Sequence, residues 1–206
     1  MSKNTTPEAT YAATFGNAID HLSQAGNREQ QSVLRDLGWT MLEVWTGAEG
    51  GSFTRLSNAW LGQQKWRVQI APARELWRPE WVAYLADAAK RRGHDELLGT
   101  SVSTGEFRDR AVWRIPTNAD DMSRFFESQF PLFCLLFPAD RSFAIHCIAD
   151  ELAAYAGPAE FVRDALPPGA IGRHARAAAI AAVDPRLTED DYADVLAPYA
   201  PFMIDG

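Results

Sequence analysis

The chain has 206 residues, of which 47% are hydrophobic and 23% charged, which is the composition of an ordinary globular protein and excludes a disordered or fibrous chain. This length suffices for one domain with a large core or for two small domains packed together. A net charge of −7 disfavours binding to nucleic-acid phosphates and favours a basic protein partner.

The negative charge is concentrated towards the C-terminus. Residues 1–103 contain 11 basic and 11 acidic residues, whereas residues 104–206 contain 9 and 16. Four carboxylates follow one another closely near the end of the chain: Glu189, Asp190, Asp191 and Asp194. We therefore expect these four side chains to form an acidic partner-binding face, although an acidic surface also serves solubility alone.

The sequence favours a cytoplasmic protein without membrane contact. The longest apolar run, 130–137, is too short to cross a bilayer, and the N-terminus lacks the apolar segment of a signal peptide. Cys134 and Cys147 are the only cysteines, too few for a disulfide-stapled secreted scaffold. Each lies among apolar residues, so we expect two free, buried and unreactive thiols.

The first 38 residues predict a helical hairpin. Thr5 and Glu8 have the spacing of a capping box at a helix start. Asn27 and Gln30 repeat this capping pattern for a second helix that ends at Gly38. The apolar stripes of such helices need a surface to cover, which the following strands can supply.

A β-rich segment follows the hairpin of helices. Residues 40–46 and 52–56 predict two strands joined by a turn. Residues 66–70 alternate between apolar and polar side chains, which predicts a strand with one buried face, and Gln69 falls on the face expected in solvent. A third helix begins at Pro79.

The second part of the chain repeats a similar order of elements. Residues 94–106 lack periodicity and predict a long loop or domain boundary. Residues 107–166 predict the order strand, helix, strand, strand, helix, followed by two C-terminal helices. The predicted fold is α+β, with short antiparallel sheets flanked by helices, an N-terminal helical hairpin and a C-terminal helical tail. It divides into segments 1–93 and 107–206, unless the two form one continuous domain.

Six of the seven tryptophans lie between residues 39 and 81. An indole ring suits a bulky core, a ligand that stacks on it, or a binding hot spot for a protein. Trp66 and Trp81 fall on faces that we expect to point inward. Trp60 lies in an irregular segment and is the candidate for contact with a partner or ligand.

The sequence contains no catalytic, nucleotide or metal fingerprint. The glycine-rich segment 47–52 lacks the lysine of a phosphate-binding loop and predicts a hairpin turn. The four histidines are too far apart in sequence for a local metal motif, so we expect no metal and no cofactor. His146 and Cys147 are neighbours on a predicted strand and point to opposite faces. The catalytic residues stay unknown, and an enzyme is the less favoured interpretation.

A cluster of phenylalanines marks the middle of the second segment, at positions 125, 126, 130, 133 and 137. We interpret it as core, with the seam of a homodimer as the alternative.

Taken together, these patterns favour a non-enzymatic protein-binding factor of the bacterial cytoplasm. A toxin-neutralising, immunity-type protein or an adaptor would act in this way, with the acidic face steering a basic partner and Trp60 as the buried anchor. The alternative is a small-molecule-binding protein or enzyme with a Trp-lined apolar pocket in the first half of the chain.

Overall fold

A computed structural model describes residues 22–46, 52–102, 111–129, 133–148 and 152–204. Its strands are β1 (Ser23–Gln24), β2 (Leu42–Thr46), β3 (Ser52–Leu56), β4 (Arg67–Pro72), β5 (Glu96–Ser101), β6 (Val112–Pro116), β7 (Cys134–Phe137), β8 (Ala144–Ile148) and β9 (Leu152–Gly157). Its α-helices are α1 (Arg28–Trp39), α2 (Asn58–Gln64), α3 (Pro79–Arg91), α4 (Ala119–Gln129), α5 (Ala159–Asp164), α6 (Arg173–Val183) and α7 (Ala193–Leu196). Short 3₁₀-helices span Ala73–Trp77, Glu189–Tyr192 and Ala197–Phe202.

Seven of these strands form one antiparallel sheet in the order β1-β6-β5-β7-β8-β9-β4, and β2 and β3 form a separate hairpin. The fold is therefore α+β with antiparallel sheets, as predicted. Strands from both predicted segments share the large sheet, since β4 of 1–93 pairs with β9 of 107–206.

The prediction of a loop at 94–106 is wrong for the first part of this stretch, because Glu96–Ser101 form the interior strand β5. Leu97 and Leu98 are both buried although they point to opposite faces. A strand that is covered on both faces does not alternate between apolar and polar residues, so the periodicity expected of a half-buried strand is missing.

Helices cover both faces of the large sheet, which therefore separates two apolar cores. One core packs α3, α4 and α5 against the sheet. The other packs α1, α2, α6, the hairpin and the C-terminal segment against the opposite face. Gly99 of β5 allows α4 to approach the sheet closely, because a Cβ there would lie 2.6 Å from Cζ of Phe125.

The second helix of the predicted N-terminal hairpin is confirmed as α1. Asn27 Oδ1 accepts a hydrogen bond from the Gln30 backbone N–H at 3.0 Å, and Gln30 Oε1 accepts one from the Asn27 N–H at 2.9 Å. This reciprocal pair is the predicted capping box. The first helix of that hairpin and the turn at 47–51 lie outside the described residues.

The described members of the phenylalanine cluster pack in or against the two cores, and Phe130 lies outside the described residues. Phe125 and Phe126 lie in one core and Phe137 in the other, each with at most 2% of its surface exposed. Phe137 ends β7, a strand that the sequence prediction omitted. None of the helices in the described ranges has the length and apolar character needed to cross a membrane.

Candidate binding groove

A groove of about 690 Å³ opens beside the edge strand β4. One wall consists of the end of β4, the 3₁₀-helix Ala73–Trp77 and the start of α3, and the other consists of residues 167–170 and α6. This volume lies within the range of about 300 to 1,000 Å³ that is typical of sites for small organic ligands. The groove is therefore the candidate functional site.

The start of α3 provides the aromatic part of the groove. Pro79 occupies the first turn of this helix, and Leu85 on its inner face is buried in the core. Trp81 and Tyr84 are three residues apart, so they lie side by side on the helix surface that lines the groove. Tyr84 is 39% exposed, which leaves its ring accessible to a ligand.

Trp81 is held in place by a buried partner from β9. Its Nε1–H donates to the hydroxyl oxygen of Tyr155 over 3.1 Å, and Tyr155 is completely buried. Burial raises the pKa of Tyr155 above its ordinary value, so the phenol stays neutral. This hydrogen bond restrains the orientation of the indole, and a restrained side chain loses less entropy when another group stacks on it.

A buried glutamine connects the two walls. Gln69 Oε1 accepts the backbone N–H of Gly172 at 2.8 Å, and Gln69 Nε2 donates to the carbonyl oxygens of Ile70 at 2.9 Å and of Gly172 at 3.4 Å. The prediction that Gln69 faces solvent is wrong, since only 1% of it is exposed. The segment before α6 covers this face of the edge strand, and the side-chain amide satisfies the covered backbone groups.

Helix α6 forms the second wall with small side chains. Ala175, Ala178 and Ala179 line the groove, and their size leaves the space between α6 and α3 open. The alanine-rich helix predicted at 173–183 is confirmed. An alanine-rich helix is equally compatible with close packing against a neighbouring helix. The sequence alone therefore does not indicate a groove beside α6.

Charged side chains lie at the rim. Arg78 Nη1 is 3.1 Å from Glu75 Oε2, and the side chain of Arg78 is 58% exposed. Glu80 is exposed at the beginning of α3 and also lines the groove. A ligand in the groove would therefore meet apolar walls and, at one end, groups that pair with a polar or charged substituent.

Two of the four predicted acidic residues are occupied by contacts within the chain. Glu189 Oε1 lies 3.1 Å from Arg176 Nε. The carboxylate of Asp191 accepts hydrogen bonds from the Thr188 backbone N–H at 2.7 Å and from its hydroxyl at 2.9 Å. These bonds lower the pKa of Asp191. Asp191 is thereby the third-position partner of Thr188 in the capping box that begins the 3₁₀-helix Glu189–Tyr192.

The remaining predicted partner-binding residues are Asp190, Asp194 and Trp60. Asp190 and Asp194 are exposed. Trp60 is half-buried, with the Arg141 guanidinium 4.9 Å from its ring centroid and the Trp66 ring edge-on at 6.0 Å. None of the predicted partner-binding residues lines the groove.

The structure brings the two cysteines together, which sequence reasoning missed. Cys134 Sγ and Cys147 Sγ are 3.3 Å apart, although the two thiols are not bonded. His146 points to the other face of the sheet, where its Nε2 is 3.2 Å from the Thr54 hydroxyl. No group of three or more His, Cys, Asp or Glu side chains converges to hold a metal ion within the described ranges.

Comparisons with protein-family models, with curated proteins and with solved structures find no match to this chain. The functional argument therefore depends on the geometry of the groove and of the acidic stretch.

Proposed function

We propose that the protein binds a small organic molecule in the groove between α3 and α6, and that this ligand has a flat apolar body with one polar end. The observation that carries the proposal is a groove of about 690 Å³ whose aromatic wall includes Trp81 and is fixed by the Trp81–Tyr155 hydrogen bond. This function corresponds to the pocket alternative from the sequence, although the groove takes its walls from both parts of the chain.

The chemistry of the walls supports a flat ligand. Trp81 and Tyr84 present aromatic surface, and an aromatic ring that packs against them gains about 0.5–1.5 kcal/mol beyond its area burial. The alanines of α6 line the same groove, so a planar body would meet both aromatic and small aliphatic side chains. Arg78 and Glu80 at the rim suit a polar substituent.

The residues of the groove support binding rather than covalent catalysis. Among the described residues that line it, the ionisable side chains are Glu75, Arg78, Glu80 and Tyr84. Glu75 and Arg78 already pair with each other. The described lining therefore contains charged and polar groups that can bind a ligand, but no cysteine, serine or histidine that could act as a nucleophile.

The proposal is tested with N-phenyl-1-naphthylamine, a neutral aromatic probe that fluoresces when it leaves water. We expect saturable binding of one probe molecule per chain. Ala178→Trp places an indole in the groove and should weaken binding by about tenfold or more, which corresponds to about 1.4 kcal/mol. Ala177→Trp is the matched control, because Ala177 is exposed on the same helix and does not line the groove.

Both variants should keep the helix content of the parent chain in circular dichroism. Absence of saturable binding, or equal loss of affinity in Ala177→Trp and Ala178→Trp, would contradict the proposed site.

A second candidate function, recognition of a basic protein, is favoured by the exposure of Asp190 and Asp194. We infer that these two carboxylates, rather than all four predicted ones, would steer a cationic partner, since Glu189 and Asp191 are engaged within the chain. Charges of this kind act mainly on the association rate.

Association with immobilised polylysine at low ionic strength tests the second candidate. We expect the double variant Asp190→Lys, Asp194→Lys to associate much more slowly with polylysine than the unaltered chain does. Asp36→Lys with Asp87→Lys is the matched control, because both positions are exposed and the net charge changes by the same amount. Equal slowing in both double variants would show that net charge alone governs binding and would remove the acidic stretch as a recognition site.

A further inference from the structure

Cys134 and Cys147 occupy adjacent positions on neighbouring antiparallel strands. In the pairing of β7 with β8, Leu135 is opposite His146 and Leu136 is opposite Ile145. Continuing this register by one residue places Cys134 opposite Cys147, in agreement with the Sγ–Sγ distance of 3.3 Å. The two thiols therefore face each other on the same side of the sheet.

This arrangement meets the geometric requirement for a disulfide bond. Opposite residues of an antiparallel pair have Cα atoms about 4.5 to 5.5 Å apart, which lies within the range of about 4.4 to 6.8 Å found for disulfides. The sulfur atoms need to approach by roughly 1.2 Å to reach bonding distance. Rotations of the two cysteine side chains are the motion that would close this distance.

The flanking residues leave room for these rotations. Across the sheet, Ser101 of β5 is opposite Cys134, and Ala153 of β9 is opposite Cys147. Both neighbours are small, so neither blocks the sulfur atoms from the side. The thiols differ in access, because Cys134 is only 1% exposed whereas Cys147 is partly exposed.

We propose that Cys134 and Cys147 form an oxidisable dithiol site that closes into an intramolecular disulfide when the chain meets a small disulfide oxidant such as oxidised glutathione. The Cys147 thiolate attacks one sulfur of the oxidant, forming a mixed disulfide and releasing one glutathione thiolate. Cys134 then loses its proton and attacks the Cys147 sulfur, which releases the second glutathione. In total the protein loses two hydrogen atoms, and the oxidant is reduced to two thiols.

The order of these steps follows from access. An oxidant from solvent reaches Cys147 before Cys134. The hydrogen bond with Cys147, together with burial, raises the pKa of Cys134, so its thiolate is scarce near neutral pH. Ring closure should therefore accelerate as pH rises, while the proximity of the two sulfurs compensates for the low thiolate fraction.

The experiment treats the folded chain with excess oxidised glutathione at about pH 8, stops the exchange with acid and removes all glutathione by gel filtration. Ellman's reagent then counts the protein thiols after denaturation. We expect both thiols to disappear together, and mass spectrometry should find a chain lighter by two hydrogen atoms with a disulfide between Cys134 and Cys147. Cys134→Ser should stop the reaction at a stable glutathione adduct on Cys147. Cys147→Ser should leave Cys134 unreacted in the folded chain.

A stable glutathione adduct on the unaltered chain would overturn the proposal. So would a disulfide between two chains, or full resistance of the folded protein to oxidation. Because the unaltered chain carries the primary readout, the test does not depend on the stability of the serine variants.

Discussion

The side chain of Gln69 and the backbone of Gly172 exchange hydrogen bonds in both directions across 103 positions of sequence. This contact ties the edge strand β4 to the segment that leads into α6. Since β4 and α6 both supply residues to the groove, this buried amide helps to fix their relative position.

Gln69→Leu should lower both stability and ligand binding. The change leaves the Gly172 N–H without its acceptor inside the protein, which costs about 1–3 kcal/mol of unfolding free energy. We expect weaker binding of N-phenyl-1-naphthylamine in addition to a lower urea midpoint. Gln31→Leu is the matched control, because Gln31 is also buried and donates to Gln24 and Gly26 away from the groove. The account is wrong if both variants lose probe affinity equally.

Tyr155→Phe tests the support of the aromatic wall. It removes the acceptor of the Trp81 indole N–H and should destabilise the protein by about 1 kcal/mol. Probe affinity should fall because Trp81 is no longer held in one orientation.

The matched control for this prediction is Tyr199→Phe. Tyr199 is also fully buried, and its hydroxyl accepts the Leu56 backbone N–H at 3.0 Å on the other side of the sheet. This variant should lose stability while keeping probe affinity. Unchanged affinity in Tyr155→Phe would show that the hydrogen bond does not position the indole for binding.

Gly99→Ala should destabilise the fold strongly. The added Cβ would lie 2.3 Å from Ile115 Cδ1 and 2.6 Å from Phe125 Cζ, so α4 would have to move away from the sheet, at a cost of about 1–3 kcal/mol or more. Gly62→Ala provides the contrast, because the nearest atom there is 3.9 Å away on Phe202 and the position is helical. It should be neutral or raise stability by up to about 1 kcal/mol. Chemical denaturation of both variants measures the difference.

His146 should make the fold sensitive to acid. Burial lowers its pKa from 6.5 to about 3, so below pH 6.5 the unfolded chain binds a proton that the folded chain excludes. Stability from this group is complete above pH 6.5 and falls as the pH decreases towards 3, by about 2 kcal/mol between pH 7 and pH 5.

Comparison of unfolding free energies at pH 7 and pH 5 checks this prediction. His146→Gln should show a weaker decrease than the unaltered chain, because glutamine does not titrate. His174→Gln, at an exposed position, should leave the decrease unchanged. An identical pH dependence in all three proteins would exclude His146 as its source.

Local signals in the sequence were sufficient for many elements of the fold. Asn27 and Gln30 cap α1 as predicted, and the strands β2 and β3 fall within the predicted hairpin. Such features depend on residues a few positions apart, so a pattern in the sequence reveals them.

The groove and the dithiol could not be predicted because they depend on contacts between distant parts of the chain. Gln69 looks solvent-facing in its own strand and is buried only because residues 167–172 cover it. Cys134 and Cys147 each look like isolated core thiols, and only the register of β7 with β8 brings them together. The sequence predicts Trp81 in the core, and its indole nitrogen does bond the buried Tyr155. Trp81 also lines the groove, which its position in the sequence does not indicate.

The most direct test of the groove is the nuclear magnetic resonance signal of the Trp81 indole N–H during titration with N-phenyl-1-naphthylamine. Trp81→Phe and Trp60→Phe identify the signals of these two residues among those of the seven tryptophans. The account predicts that the Trp81 signal shifts with the same Kd as the fluorescence titration. The signal of Trp60, which does not line the groove, should stay in place. A shift of the Trp60 signal with an unchanged Trp81 signal would contradict it.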